Sequence, residues 1–498
     1  MAAAMALMLT ACGGDVDDVT LAQGSKASVT GTSPGVSPFI EIIRLQSDNL
    51  DNLKSVQFEI QAKAGAFARP VNVTESKAWL VQHGYLASGS KELRVPVFGL
   101  YSNYTNAVAL ELRFDDSSYR RFAVNVPAAV YQDPNSVYDH LQVLTRRSVG
   151  SVLGFDYFFL KSGIGEPVVV DTDGEIRWVG DSSVSVSASS ILVDGAFLIG
   201  DESSVAISDL SLDGSVARGQ VSNSIFTDFH HNIDLGKVGF LAEFDAVQNG
   251  APYLETDLAE ITRDGTIINE WDLGQIIGQY MQAQGDDPSL FVRPGTDWFH
   301  MNASLYDPLD DSIIVSSREN FLIKIDYSTK QIKWIFGDTT KYWYTFPSLR
   351  AKALTLPTGL YPIGQHGIAL TPTHDLLLLN NGYPSFRQPI GAPSGDSRSY
   401  TAVDAYSIDE GNRTVAQLWN FDYGQSIDST ICGNAAPAAD GSVLVNYAYA
   451  NPSAPQGAQN RLVALDSSHN VVFDFALPTA LCQTTFNAQF INLASLSL

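Results

Sequence analysis

At 498 residues, 45% of them hydrophobic, the chain has material for one large repeat domain with a smaller companion and for an ample core. Its 54 acids against 30 bases give a formal charge of -24, which argues against a nucleic-acid or anionic-membrane surface, because such partners need clustered Lys and Arg. An anionic substrate could still be held by a local concentration of positive charge, so every Arg and each of the eight His deserves tracing.

The first residues, "MAAAMALMLTACGGDVDD", join a short apolar run to Leu9-Thr10-Ala11-Cys12, which resembles the end of a bacterial lipoprotein signal peptide, where the Cys is acylated and becomes the new N-terminus. The basic segment that usually precedes such a run is missing. Residues 1–12 are read as this signal segment and 13–36 as a disordered tether of small polar residues. No later run reaches the roughly 18 apolar residues a membrane helix requires. The expectation is an exported protein, periplasmic or held at the outer membrane, that meets the bilayer only through a lipid on Cys12. Cys432 and Cys482 remain; in an oxidising compartment they suit one bridge, and they also suit two buried free thiols.

Residues 37–127 run as short alternating segments: "SVQFEIQAKAG", "SKAWLVQHG", "ELRVPVFGL" and "AVALELRFDDSSYRRFAVNVP". Strict alternation in "VALELRF" and "RRFAVNV" predicts half-buried strands and a small N-terminal β-sandwich. In residues 128–498 a hairpin recurs: "PVVVDTDGEIRWVGD" at Pro167, "AISDLSLDGSVARG" at Ala206, "LAEITRDGTIINEWDL" at Leu258, "LIKIDYSTKQIKWIFGD" at Leu322, "AVDAYSIDEGNRTVAQLWNFD" at Ala402 and "LVALDSSHNVVFDFAL" at Leu462. Each is an apolar strand, a polar turn and a second strand. Copies spaced by roughly 40 to 80 residues predict a six-bladed β-propeller. Helix is expected in "LGQIIGQYMQAQ" and "FPSLRAKALTL" alone, both in insertions between hairpins. Such insertions crowd one mouth of a propeller channel, where function usually sits.

Three segments place a histidine at the start of a strand: "FHHNIDL", "FHMNASLYDP" and "GQHGIALTP". Equivalent positions in successive blades converge on one mouth, so His231, His300 and His366 are expected to share a pocket, with Arg318 entering from the strand after His300. Adjacent residues on a strand point to opposite faces, so His230 should pack behind His231. His83, His140, His374 and His469 stand outside these contexts.

The run "WFHMNASLYDPLDDSIIVSSRENFLIKIDYSTKQIKWIFG", Trp298 to Gly337, resembles the bacterial arylsulfate sulfotransferases, which transfer sulfate without the nucleotide donor PAPS. The resemblance implies a nucleophilic, transiently sulfated histidine in Gly364-Gln365-His366-Gly367, sulfuryl-binding groups at His300, Arg318 and His231, and a homodimer supported by the N-terminal unit. It implies an aryl sulfate donor, a phenolic acceptor and ping-pong transfer. Neither a metal nor another cofactor is called for. The chemistry agrees: neutral imidazole avoids repulsion from a sulfate monoanion, and a guanidinium fork can hold the equatorial oxygens.

Enteric members carry a small disulfide loop shortly before the nucleophile, and no Cys lies between Arg318 and His366 here. Aromatics fill that interval, and Tyr342, Trp343, Tyr344 and Tyr361 are candidates for stacking on the aryl group. Asn381 and Arg387, beyond His366 on the next strand of its blade, are further candidates for the pocket mouth. Two other readings stay open: a metal-dependent propeller hydrolase with the histidines as ligands, and a non-catalytic propeller that binds polymer or protein at the cell surface.

Overall fold

The computed structural model of the protein describes residues 26–180, 184, 186–223, 225–248 and 250–498. Cys12, the signal segment and residues 13–25 of the expected tether lie outside them. The chain is all-β, and its described strands form eight sheets.

Two sheets belong to the N-terminal region. Ala27–Pro34, Ile40–Ser47 and Glu92–Phe98 form one; Leu53–Ile60, Val71–Ser76, Thr105–Phe114 and Tyr119–Pro127 form the other. Ile43, Leu45, Val56, Phe58, Leu110 and Leu112 are buried in one common core, as alternation along these strands demands. Three details depart from the sequence reading. The strand Ala27–Pro34 pairs along Glu41–Ser47, so order begins inside the stretch read as tether. "SKAWLVQHG" is not a strand: Lys77–Gln82 is a helix, its first turn closed by Ser76 Oγ accepting from Trp79 N at 3.1 Å. Such a cap contributes about 1 kcal/mol, and Leu80 alone of the short helix is fully buried. Finally, the C-terminal Leu496–Ser497 pairs in parallel with Val73 and Thr74, and the core continues into Tyr157, Phe159, Trp178 and Phe197 of the following sheets.

Six antiparallel sheets follow one another along the rest of the chain. All six hairpins read from the sequence are the third and fourth strands of these sheets. The turn chemistry is explicit in the first: Asp171 Oδ1 accepts from Asp173 N and Glu175 N, both at 3.0 Å, and Gly174 takes φ 87°. The inner strands, Ser190–Val193, Phe226–Leu235, Met301–Asp307, His366–Leu370, Asn434–Pro437 and Ala488–Ile491, pack each against the next where neighbouring sheets meet. Asparagines tie some of them together: Asn302 Nδ2 donates to Gln365 O and Asn434 Nδ2 to Ala488 O, each at 2.8 Å. The ends interlock. Ala488–Ile491 is the inner strand of the sheet begun by Tyr157–Leu160, and Gln142–Thr145 is the outer strand of the last sheet.

Helix Leu273–Ala283 lies where expected, capped by Asp272 Oδ1 accepting from Gln275 N at 2.8 Å, with Leu273, Ile277 and Met281 buried. Of the second expected helix only the turn Pro347–Arg350 forms. Among the described residues no helix is long and apolar enough to cross a membrane.

Candidate active site

Three consecutive inner strands break register at their histidines: between His230 and Ile233, between Met301 and Ala303, and between His366 and Ile368. At each break one residue is left-handed, His231 at φ 49°, His300 at 52° and Gly367 at 50°. Bulges of this kind re-aim side chains beside active sites, and a left-handed non-glycine residue costs about 1 kcal/mol. Gly367 has a second reason to be glycine, since a Cβ there would stand 2.2 Å from Asn434 Cβ on the next inner strand.

The bulge overturns the expected split of the His230–His231 pair. Both Nε2–H groups donate to one carboxylate, His230 to Glu255 Oε1 at 2.9 Å and His231 to Oε2 at 3.0 Å, and the ring centroids are 3.9 Å apart. His300 joins them: its Nδ1–H lies 2.8 Å from both Glu255 Oε2 and Asp297 Oδ2. Its Nε2 has no hydrogen bond among the described residues. His231 is further held by stacking on Phe486, centroids 4.8 Å apart.

Glu255 is therefore the hub of the cluster, and the sequence reading missed it. It sits in "APYLETDLAEI", in no motif, at φ 51° and with its N–H donating to Asp245 Oδ1 at 2.6 Å. Burial would raise its pKa, but the charge of His300 and the imidazole donors hold it well below the usual carboxylate range. Burial would likewise lower His300, yet Glu255 and Asp297 lift it to about 10, so it is an imidazolium. His231 goes the other way, to about 3, through burial and the neighbouring His230. One imidazole of the group is thereby a proton donor and its neighbour neutral, a division typical of acid–base sites.

Arg318 follows the strand Ser312–Ser317, and its N–H donates to His300 O at 3.0 Å. The side chain is 2% exposed. Nη1 donates to Glu319 Oε1 at 2.5 Å, while Nε and Nη2 are buried with no partner, and the guanidinium carbon lies 3.6 Å from the ring centre of Phe386. Glu319 is held in turn by Ser385 Oγ and by Arg387 N at 2.8 Å. Behind it Lys341 Nζ donates to Arg318 O at 3.2 Å, and burial with the nearby guanidinium lowers this amine to about 8. Two orphaned donors on a buried cation are costly unless an anion completes them.

His366 is also 2% exposed. Its Nδ1 lies 2.9 Å from Asn381 Oδ1 and 3.1 Å from Gly364 O, both acceptors only, so Nδ1 carries the proton and Nε2 keeps its lone pair. Nε2 has no hydrogen bond among the described residues. Burial first, and then the charges of Arg318 and His300, hold the ring well below its usual pKa.

The lesser candidates divide. Asn381 meets His366 through its Oδ1. Arg387 gives Glu319 its backbone N–H, while its guanidinium is largely exposed, with Nε 3.9 Å from Asp297. Trp343 is fully buried with Nε1 donating to Asp338 O at 2.9 Å, and half-buried Tyr361 packs on Phe336 and accepts from Leu356 N. Tyr342 and Tyr344 pack on Phe346 and Trp343. Phe386, unread in the sequence, is the exposed aromatic at Arg318. Cys432 and Cys482 are bridged, Cα–Cα 6.2 Å. His374, which stands outside the histidine contexts, pairs through Nε2 with Asp307 at 3.1 Å.

Fold and site together define an all-β, propeller-type protein in which a cluster of imidazoles gathered on Glu255 accompanies a buried His366 and a buried Arg318. The family model for Arylsulfotransferase (ASST) matches residues 130–487, and the chain belongs to that family. It is 22% identical over 525 aligned positions to Arylsulfate sulfotransferase AssT of Lelliottia amnigena, covering 84% of each chain. It is 26% identical over 207 positions to Arylsulfate sulfotransferase AssT of Escherichia coli O6:H1, a match spanning 33% of this chain and 34% of that one. Among solved structures, the β-propeller domain of Myceliophteria thermophila Cps50 (Swd1) aligns with 68% of this chain and 95% of its own at 12% identity and TM-score 0.34, too loosely to carry an argument.

Proposed function

We propose that the protein moves a sulfuryl group from an aryl sulfate to a phenol in two displacements through His366, without PAPS. The observation that carries this reading is the pairing of a neutral buried imidazole, its Nε2 open, with a buried Arg318 whose Nε and Nη2 lack partners. In the first step the Nε2 lone pair forms an N–S bond, the aryl O–S bond breaks, and the departing oxygen takes a proton from His300. In the second step the acceptor phenol gives its proton back as its oxygen forms the new O–S bond, and the N–S electron pair returns to Nε2. Arg318 holds the sulfuryl oxygens in both. Incubation with 4-nitrophenyl sulfate should release nitrophenol in a manner that depends on added phenol, and equal release without acceptor would sink the reading.

A metal-dependent hydrolase has one observation in its favour. His230, His231 and Glu255, and also Glu255, Asp297 and His300, bring ligand-type atoms within 4.8 Å of one another. Those same atoms are engaged as imidazole–carboxylate hydrogen bonds. Full activity in chelator is expected; loss restored by zinc would favour the hydrolase.

The proton on His300 gives a second test. Its folded pKa, about 10, is raised, so the bond it makes with Glu255 stabilises the fold fully below the ordinary histidine pKa and is lost as pH rises through about 10. The burst of nitrophenol from donor alone should fail over the same alkaline range. In Glu255→Gln the negative neighbour is gone, His300 loses its proton more readily, and the alkaline limb should move to lower pH. An unmoved limb in a stopped-flow pH series would remove His300 as the acid.

A lipid on Cys12 and an oxidising location belong to the same proposal, supported by the Leu9–Cys12 tetrapeptide and the disulfide. Fatty-acid labelling that is lost in Cys12→Ala is the expected result.

A further inference from the structure

We propose that Asn381 is the positioning residue that keeps the sulfuryl group transferable, by holding the Nδ1 proton of His366 without being able to take it. The inference rests on the nucleophile reading of His366 and adds to it the chemistry of the ring's second nitrogen.

When neutral imidazole attacks through Nε2, the product ring carries a sulfonate on Nε2 and a proton on Nδ1, and is formally an imidazolium. Breaking the N–S bond then expels neutral imidazole. Were the Nδ1 proton removed at this stage, the ring would be an uncharged N-sulfonate, and the leaving group would be an imidazolate, a far stronger base and a far poorer leaving group. A sulfonated ring is also much more acidic than histidine, so a basic partner at Nδ1 would take that proton and trap the adduct.

Both acceptors at Nδ1 are amide oxygens, Asn381 Oδ1 at 2.9 Å and Gly364 O at 3.1 Å, and neither is a base at any accessible pH. This is the reverse of the carboxylate that backs the histidine of a hydrolytic triad. The contrast lies within one site, since His300 Nδ1 does have carboxylates, Glu255 and Asp297. The amide cannot turn over, because its Nδ2 donates to Ser429 O at 2.7 Å and to Cys432 O at 3.1 Å. Those carbonyls lie in the segment that leads into the next inner strand, and Cys432 is tied to Cys482. An inverted amide would point its NH2 at Nδ1 and oppose oxygen to two carbonyls, so the tautomer of His366 is fixed from outside its own sheet.

The test uses the full chain, 4-nitrophenyl sulfate as donor and phenol as acceptor, with rapid quench and intact-mass detection of the His366 adduct. In Asn381→Asp the burst should remain, while discharge of the adduct by phenol slows on the order of a hundredfold, the scale of a misplaced catalytic proton. Adduct in steady state should rise accordingly, which a merely loosened site would not produce. Asn381→Ala should slow adduct formation instead, because the tautomer is no longer enforced, and leave discharge near normal. An Asp variant that discharges at the wild-type rate overturns the proposal. If that variant does not fold, 15N-histidine spectra of the wild-type protein decide: His366 protonated on Nδ1 is expected, and protonation on Nε2 overturns the inference. Absence of any adduct in wild type removes the nucleophile reading itself, a different outcome from normal discharge in the variant.

Discussion

His366→Ala is expected to abolish turnover and to eliminate the mass gain that the sulfohistidine proposal predicts, with donor alone, on the peptide containing residue 366. The imidazoles of His231 and His300 are engaged by carboxylates. His231 has its Nε2–H committed to Glu255, and His300 is an imidazolium with no lone pair to offer. His366 alone combines a lone pair with a bound Nδ1 proton. The variant should fold, since among the described residues the side chain's polar contacts are to Asn381 and Gly364 O, and its backbone pairing with Leu379 is unaffected. Unchanged melting with zero burst is the expected pair of measurements. Turnover intact in the variant would require another acceptor and would end the sulfohistidine scheme.

Arg318→Lys is expected to lose most activity although the charge is kept. Nε and Nη2 are the two buried donors without partners, and they are neighbours on one edge of a planar group whose face is covered by Phe386. A sulfate monoester offers two oxygens to such an edge. An ammonium cannot reproduce that fork, and it would also leave Glu319 Oε1 without its 2.5 Å partner. Losing one such donor should cost roughly 3 kcal/mol of barrier, about a hundredfold in rate. The loss should fall on kcat as well as KM, because the equatorial oxygens gain charge as the S–O bond breaks. Near-normal rates in the Lys variant would show that fork geometry is unimportant.

The hairpin repeat was legible because two local signals agreed. A polar turn with Asp or Gly fixes where the chain reverses, and apolar alternation fixes which side is buried. The strands of each sheet without a turn signature were harder to read, and those are the inner strands that carry the site. Histidine identities could still be assigned, since their flanks repeat and the Trp298 to Gly337 run is specific. Their directions could not, because alternation assumes an unbroken pleat, and at His231 and His300 the backbone turns left-handed. Glu255 is the instructive omission. A single carboxylate in a strand carries no spacing signal, and its importance comes wholly from three imidazoles that reach it from other strands. Trp343 was misread for the opposite reason: an aromatic near the histidines fits an aryl pocket and a core equally well, and its full burial places it in the core. "SKAWLVQHG" alternates well enough to pass for a strand, yet Ser76 offers a cap that alternation does not record.

The interlocking ends bear on how the chain acquires its shape. Phe486, which stacks on His231, Ala488–Ile491, which completes a sheet begun more than three hundred residues earlier, and Leu496–Ser497, which docks on the N-terminal strands, all lie within residues 486–498. Without them the strand Tyr157–Leu160 has an unpaired edge and His231 loses its stacking partner. The chain's longest contacts pair residues near the two ends, so closure is a late event of high loop entropy. The molecule is therefore built like a clasped belt: removing residues 487–498 would take away the buckle without touching His366, Arg318 or the imidazoles around Glu255.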